Sequence, residues 1–294
     1  MPDKRFEVEK DSVKSSPKGI EEVTEDIHQW RSLAKEYFNE DPDEVSKKIE
    51  ALKQKVLESG LNLVRQDDKY LLKFLRAGNG SIETSMTLFR SYINFMQNNP
   101  RHFESILPSK LDKVYSAKVS TILETRDEHG RRVFINRPGK WNPNEFTFCE
   151  VFASIFTLAE MISEEAKTQI AGVTMVTDAG GFGLSQFRNY SIGDAKIMSS
   201  FIQSSFPLWF REIHLVNAPY MFMMVFNVIK PFLAQEIRDL INFHSNLESL
   251  HKFVNKDILP EELGGNAGPL DNSICVEKTK SMEPYFNDLK DTLK

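Results

Sequence analysis

Residues 205–233, SFPLWFREIHLVNAPYMFMMVFNVIKPFL, join two elements of different character. REIHLVNAP (211–219) reads as a strand that stops at Pro219, and from Ala218 to Ile229 the chain is apolar almost all the way round, interrupted by Asn227. A helix with one face in water shows polar residues at regular spacing. This one does not, so it is either buried in a core or in contact with something oily. It is shorter than the roughly 20 apolar residues of a membrane span, and Pro219 and Pro231 bracket it.

Outward from this stretch, strands and helices alternate. STILETRDEHGRRVFINRPGKW (120–141) carries two short strands around the turn Asp127–Gly130. FTFCEVFASIFTLAEMISEEA (146–166) is a helix, GVTMVTDAGG (172–181) a strand with a glycine turn, and SIGDAKIMSSFIQSSFP (191–207) a helix that stops at Pro207. IRDLINFHS (237–245) reads as a further strand and NLESLHKFVN (246–255) as a helix. The alternation predicts an α/β domain with a mixed, largely parallel sheet. Before it, residues 41–60, 67–80 and 81–100 each show helical periodicity. Their inward faces are Val45, Ile49, Leu52, Val56 and Leu57, then Tyr70, Leu71, Phe74 and Leu75, then Ile82, Met86, Phe89, Ile93 and Met96, with Ser81 as a cap. The resulting division is an extension at 1–40 that is partly disordered over 1–20, a helical unit at 41–110, an α/β domain at 111–275 and a tail at 276–294.

The 294 residues are 40% hydrophobic and 27% charged, with a net charge of −5, which gives ample core and no general affinity for nucleic acid. The polar N-terminus does not read as a signal peptide, and Cys149 and Cys275 lack metal-ligand spacing, so the expected setting is cytoplasmic, with free thiols. The glycines of DAGGFG (Gly180, Gly181, Gly183) match neither a dinucleotide nor a phosphate loop and read as a tight turn. The six histidines show no HExxH spacing, and no nucleophile elbow occurs. His214 reads as locally bonded in a strand. Asp178 ends a strand without an evident partner. The expectation is no enzyme, no metal and no cofactor.

The apolar helix has matching neighbours. Phe152, Ile155, Phe156 and Ala159 form a stripe on 150–163. Val173, Met175 and Thr177 share one side of their strand, Met198, Phe201, Ile202 and Phe206 recur along 192–206, and Leu208 and Ile213 flank the next strand's start. Such a stock of Phe and Met lines either an ordinary core or an adaptable apolar cavity, and spacing alone leaves both open.

LLKFLRAG (71–78), SFPLWFREIHLVNAP (205–219), NVIKPFL (227–233) and DILPEELGG (257–265) fall in the order and spacing of the CRAL-TRIO, or Sec14-like, lipid-binding family. The resemblance covers residues ~45–268 and is strongest to the branch of alpha-tocopherol transfer protein and cellular retinaldehyde-binding protein. It implies a sheet that floors an apolar cavity, the residues above as ligand contacts, and 218–233 as a mobile gate helix. It also implies a carrier, read here as a monomer, for one small hydrophobic lipid such as a tocopherol, retinoid or other isoprenoid, exchanged at a transient membrane surface. Met221, Val225 and Val228 fall on the family's membrane-touching positions, and an exposed Trp209 would suit the interface. The alternatives are a lipid-sensing adaptor and a Sec14-like phospholipid exchanger. The family's phosphoinositide groove falls on Gly78, Trp209, Arg211, Glu236 and Leu240, where Arg211 alone keeps a positive charge. Polyanion binding needs several cations, so phosphoinositide-triggered release is expected to be weak or absent unless Lys230 or Arg238 turns into the groove. A serine near the ligand hydroxyl in the family is Ala159 here, leaving Thr177 and backbone carbonyls as candidate anchors.

Overall fold

The computed structural model describes residues 27–38, 40–61, 65 and 67–292. The disorder expected over 1–20 lies outside them. Helices α1 (Ile27–Phe38), α2 (Pro42–Glu58), α3 (Asp68–Ala77) and α4 (Ile82–Gln97) form the first part, followed by the short α5 (Pro100–Phe103) and α6 (Asp112–Ser116). Local chemistry starts two of them: the Asp67 side chain accepts from the Tyr70 amide, and Ser81 caps α4 by accepting from the Thr84 amide. The predicted inward faces are buried except at three places. Leu57 is exposed, and Val45 and Ile82, both in the first turn of their helices, are half-buried.

The chain then runs through β1 (Ser120–Ile122), β2 (Arg132–Asn136), α7 (Phe148–Ser163), α8 (Ala166–Ala171), β3 (Val173–Asp178), α9 (Leu184–Asn189) and α10 (Ile192–Gln203). It continues with β4 (Phe210–Val216), α11 (Tyr220–Ile229), α12 (Gln235–Asp239), β5 (Ile241–Phe243) and α13 (Leu247–Leu250). The five strands pair in chain order; β1 is antiparallel to β2, and the other neighbours are parallel. Parallel crossovers share one hand, so strands in sequential order send their helices to one face of the sheet. The opposite face is covered by 247–270, where Val176 and Val216 pack on Leu250, Leu259 and Leu263. Two predicted elements are shorter than their sequence patterns. In 237–245 only Ile241–Phe243 is strand, because the residues before it turn as α12; in 246–255 only Leu247–Leu250 is helical.

The predicted tail at 276–294 is helical over most of its length. α14 (Ser273–Ser281) spans the 275/276 boundary, and α15 (Glu283–Thr292) buries Phe286 and Leu289 completely. Both join a continuous core that reaches from Ile49 and Phe74 through α7 to Met175 on the sheet. At its centre the Lys73 ammonium donates to Glu160 at 3.0 Å, with both side chains fully buried. The Tyr92 hydroxyl also donates to Glu160, and Tyr285 does so at 3.1 Å. One carboxylate thus ties α3, α4 and α15 to α7.

His214 is buried on the face of β4 away from α7, bonded to Glu212 at 3.1 Å and to His244 at 2.9 Å. Glu212 in turn accepts from Arg131 at 2.7 Å. Burial, and then the proximity of His214, hold the His244 imidazole below its ordinary 6.5.

Removing one member of a buried pair strands the other charge, at a cost of about 3–5 kcal/mol. Glu160→Ala is expected to lower the unfolding free energy by about that amount in urea titrations. His244 is neutral in the folded chain where the unfolded chain takes a proton, so its contribution is complete above pH 6.5 and is lost as pH falls below it. The urea midpoint should therefore fall between pH 7.5 and pH 5.5, and should fall less in His244→Gln.

Candidate functional site: an apolar cavity under helix α11

Between the sheet and its helices lies a cavity of about 170 Å³. Protein interiors leave few voids larger than a water molecule, whose share of the liquid is about 30 Å³. The space is therefore built into the fold. Its floor follows the strand register: Met175, Ile213 and Ile241 form one row, and Thr177 and Leu215 belong to the next. Val151 and Ile155 of α7 and Met198 and Ile202 of α10 form the walls. Phe222, Val225, Phe226 and Ile229 of α11 form the roof, at the spacing of one helical face. Phe182 against Phe222 (5.6 Å) and Phe226 against Phe243 (5.1 Å) brace the two ends of α11.

One end of the cavity is closed by Pro138 and Trp141. Their loop approaches the turn after β3 so closely that a Cβ on Gly139 would lie 2.1 Å from the Gly180 carbonyl oxygen. This close approach, rather than phosphate binding, uses the glycine turn. Among the described residues, no lining side chain is charged. Burial raises the Tyr190 phenol well above its usual range, so it remains a neutral hydroxyl.

The other face of α11 points outward. Tyr220 is 74% exposed, Val228 43% and Met224 36%, with Asn227 also exposed. Phe232 and Phe243 add further exposed apolar area on the adjoining segments. Among the described residues, no helix is long and apolar enough to cross a membrane, and no cluster of His, Cys, Asp and Glu could hold a metal ion.

Of the residues singled out from the sequence, Ile155, Met175, Thr177, Met198, Ile202 and Ile213 line the cavity. Phe152, Phe156, Phe201, Phe206 and Leu208 do not. They belong to the core, where Phe156 stacks on Tyr92 and meets Phe103 edge-on. The reason is that α7 is buried on all sides. Its 151/155 stripe faces the cavity, while the neighbouring 152/156 stripe faces the first helices. Ala159, one turn beyond Ile155, and Val173, two residues before Met175, are also core residues. Val225 points inward, as part of the roof; Met221 is half-buried, and Val228 alone of the three is well exposed. Trp209 is covered by α1, with its ring 6.2 Å from Phe38. Arg211 stacks over Trp209 (4.8 Å) and Tyr37 (5.5 Å).

A family comparison matches residues 116–265 to the CRAL/TRIO domain. The chain belongs to the CRAL/TRIO family. Its members bind and transfer lipids, and a lipid ligand rather than a cofactor is what their cavity takes. An alpha-tocopherol transfer protein-like protein of Homo sapiens is 32% identical over 253 residues, 85% of this chain and 73% of that one. Clavesin-1 of Xenopus laevis is 27% identical over 255 residues, covering 85% and 76%. The solved structure of Sfh5 superposes with a TM-score of 0.51 at 16% identity, over 83% of this chain and 90% of that one, and shares the fold.

At the positions the sequence resemblance assigned to a phosphoinositide groove, a Cβ on Gly78 would lie 2.7 Å from the Ser85 backbone nitrogen, so the backbone here has no room for a larger residue. The neighbouring Arg76 donates to Glu40 and Gln169, each at 2.8 Å. Glu236 and Lys230 are exposed, Leu240 packs on the core, and Arg238 donates to Gln235 on its own helix.

Cavity and core positions should respond in opposite ways. Met175→Trp fills empty space and should abolish lipid occupancy in native mass spectrometry while changing stability by less than about 1.5 kcal/mol. Phe152→Ala should cost about 3–5 kcal/mol in urea unfolding and leave occupancy intact at low denaturant.

Proposed function

We propose that the protein is a carrier that takes one small, uncharged hydrophobic lipid from a membrane, encloses it under α11 and delivers it to another membrane. The observation that carries this reading is a helix apolar on both faces: its inner face roofs a cavity, and its outer face offers Tyr220, Met224 and Val228 to an oily surface. Burying about 400 Å² of apolar surface is worth roughly 10 kcal/mol, so such a lipid does not cross water unaided. A cavity of matching chemistry makes exchange with a bilayer nearly neutral, and modest contacts at the gate then control loading and release. No bond is made or broken in this cycle. Tocopherol-like, retinoid and other isoprenoid lipids fit the description, and the name of the human relative favours the first.

The uncharged wall also separates this reading from a phospholipid exchanger. A phosphate drawn inside would need cations beside it, and the lining supplies none. Phosphoinositide-triggered release has little support, since Gly78 cannot be replaced by a cation without moving Ser85, and α1 covers Arg211. Membrane contact on this reading rests on the apolar outer face of α11, without Trp209.

The double variant Met224→Asp, Val228→Asp tests the reading. Transfer of a fluorescent lipid between liposomes, followed by dequenching, should slow at least about tenfold, because an aspartate on the membrane face of a helix is costly to insert. Equilibrium lipid occupancy should stay within about threefold of wild type. Unchanged transfer would remove α11 from the exchange step.

A further inference from the structure

His214 and His244 stand on the side of the sheet away from the cavity, and they tie β5 to β4. His214 Nδ1 lies 2.9 Å from His244 Nε2, and the His244 backbone amide donates to the Leu215 carbonyl at 2.8 Å. β5 is an edge strand of three residues that pairs, among the described residues, with β4 alone. Successive strand residues face opposite sides, so the same short strand carries Ile241 and Phe243 toward the cavity. Ile241 lines the floor, and Phe243 braces Phe226 of α11 at 5.1 Å. Movement of His244 off β4 therefore reaches the roof.

The contact can hold only a limited number of protons. Glu212 accepts from Arg131 at 2.7 Å and lies 3.1 Å from His214 Nε2. Although burial opposes ionisation, the bonds from His214 and Arg131 hold the Glu212 carboxyl down to about 2. A carboxylate only accepts, so His214 Nε2 carries a proton. At the other end, His244 Nδ1 is 3.1 Å from the Ser249 hydroxyl, which is also 2.8 Å from the Asn246 carbonyl oxygen. With both rings neutral, His244 Nε2–H donates to His214 Nδ1, and the Ser249 proton serves His244 Nδ1. With one added proton, Ser249 donates to Asn246 instead, His244 Nδ1–H donates to the Ser249 oxygen, and every contact is still made. A second added proton leaves two N–H groups facing each other across 2.9 Å with no acceptor between them. The rings must then part. His214 is completely buried, whereas His244 is half-buried at the end of the edge strand, so His244 is the ring that moves.

The surroundings do not absorb that second proton. On this side of β3, Val176 is the register partner of His214, and Thr174, the partner of Glu212, donates to Asp127 at 2.7 Å. Asp178, further along, accepts from Asn217 at 2.9 Å and from the Gly180 amide at 3.1 Å. Asn242 of β5 is neutral and donates to the Leu240 carbonyl at 3.1 Å. From the segment after β5, the Phe253 ring lies 5.4 Å from each imidazole, His251 donates to the Leu263 carbonyl at 2.8 Å, and Glu248 and Lys252 are exposed. Glu212 is thus the carboxylate in contact with the pair, and it meets His214 rather than His244.

We propose that the His214–His244 contact is a proton-operated latch: its second proton releases β5 from β4, unseats the Phe243 brace and lets the lipid leave, so that the carrier discharges in mildly acid surroundings. The inference rests on the carrier reading above and adds its regulation. Histidine is the side chain whose charge changes over this pH range, and two in contact titrate as a pair. Burial and the neighbouring His214 both oppose charging of His244, so the folded, latched chain resists the second proton and the unlatched one accepts it.

Hydrogen exchange of the full chain reads the latch, and lipid transfer reads its effect. Between pH 7.5 and pH 5.5, protection corrected for the intrinsic exchange rate should fall at least about threefold further over 220–229 and 237–249 than over 148–163. In His244→Gln, whose amide still donates toward His214 but does not titrate, that difference should vanish. Transfer of NBD-labelled tocopherol and NBD-labelled cholesterol from the loaded protein to phosphatidylcholine liposomes supplies the second readout. At least one probe should leave wild type about fivefold or more faster at pH 5.5 than at pH 7.5, and leave His244→Gln at rates within about twofold. Phe243→Ala, which removes the brace and keeps both histidines, should release quickly at both pH values. A loss of protection spread evenly along the chain, a difference that persists in His244→Gln, or pH-independent transfer by a wild type whose β5 does loosen would overturn the latch and leave the carrier reading standing. Transfer of neither probe at either pH would overturn the carrier reading, and the control of release with it.

Discussion

An empty space inside a protein persists only if its walls are held by something else. A cavity of about 170 Å³ forfeits packing contacts along its lining, and helices free to move would collapse into it. Here the walls are anchored from behind. α7 carries Val151 and Ile155 toward the cavity and Phe152 and Phe156 away from it, into an aromatic core with Tyr92, Phe103, Phe201 and Phe206. The buried Glu160, bonded to Lys73, Tyr92 and Tyr285, locks the same helix to three others. The cavity depends on this division of α7 into two stripes, one that packs and one that does not.

The roof is held differently. α11 has no side-chain cap and buries Val225 alone among its residues. Phe182 and Phe243 brace it at its two ends, and both braces are apolar contacts that a bilayer or a ligand could replace without leaving a polar group unpaired. A mobile element is drawn from the less stable parts of a fold, and α11 meets that description while α7 does not. On the carrier reading proposed above, it is the separation of a rigid wall from a lightly held roof that lets one domain both store a lipid and release it.

Much of this was legible in the sequence. The alternation of strands and helices gave the α/β class, and the spaced motifs from LLKFLRAG to DILPEELGG gave the family. The doubly apolar helix 218–229 marked the roof, and Met175 with Thr177 marked the floor. Which stripe of α7 faces the cavity was not legible, because a helix buried all round offers no polar face to orient it. Asn136 and Ser120 were missed because their place in the wall follows from strand register, which the sequence does not state. The terminal helices did leave a signal, in Met282, Phe286 and Leu289 at helical spacing. The inward turn of Val225 and the cover of α1 over Trp209 are tertiary facts that no local pattern carries.

The account stands or falls on whether the cavity holds a neutral lipid. The most direct measurement is native mass spectrometry of the purified protein after incubation with a mixed extract of tocopherols, retinoids, carotenoids, sterols and phospholipids. The account predicts one neutral lipid per chain, enriched over its share of the mixture. A phospholipid in its place, or a folded protein with no enriched lipid, would contradict it.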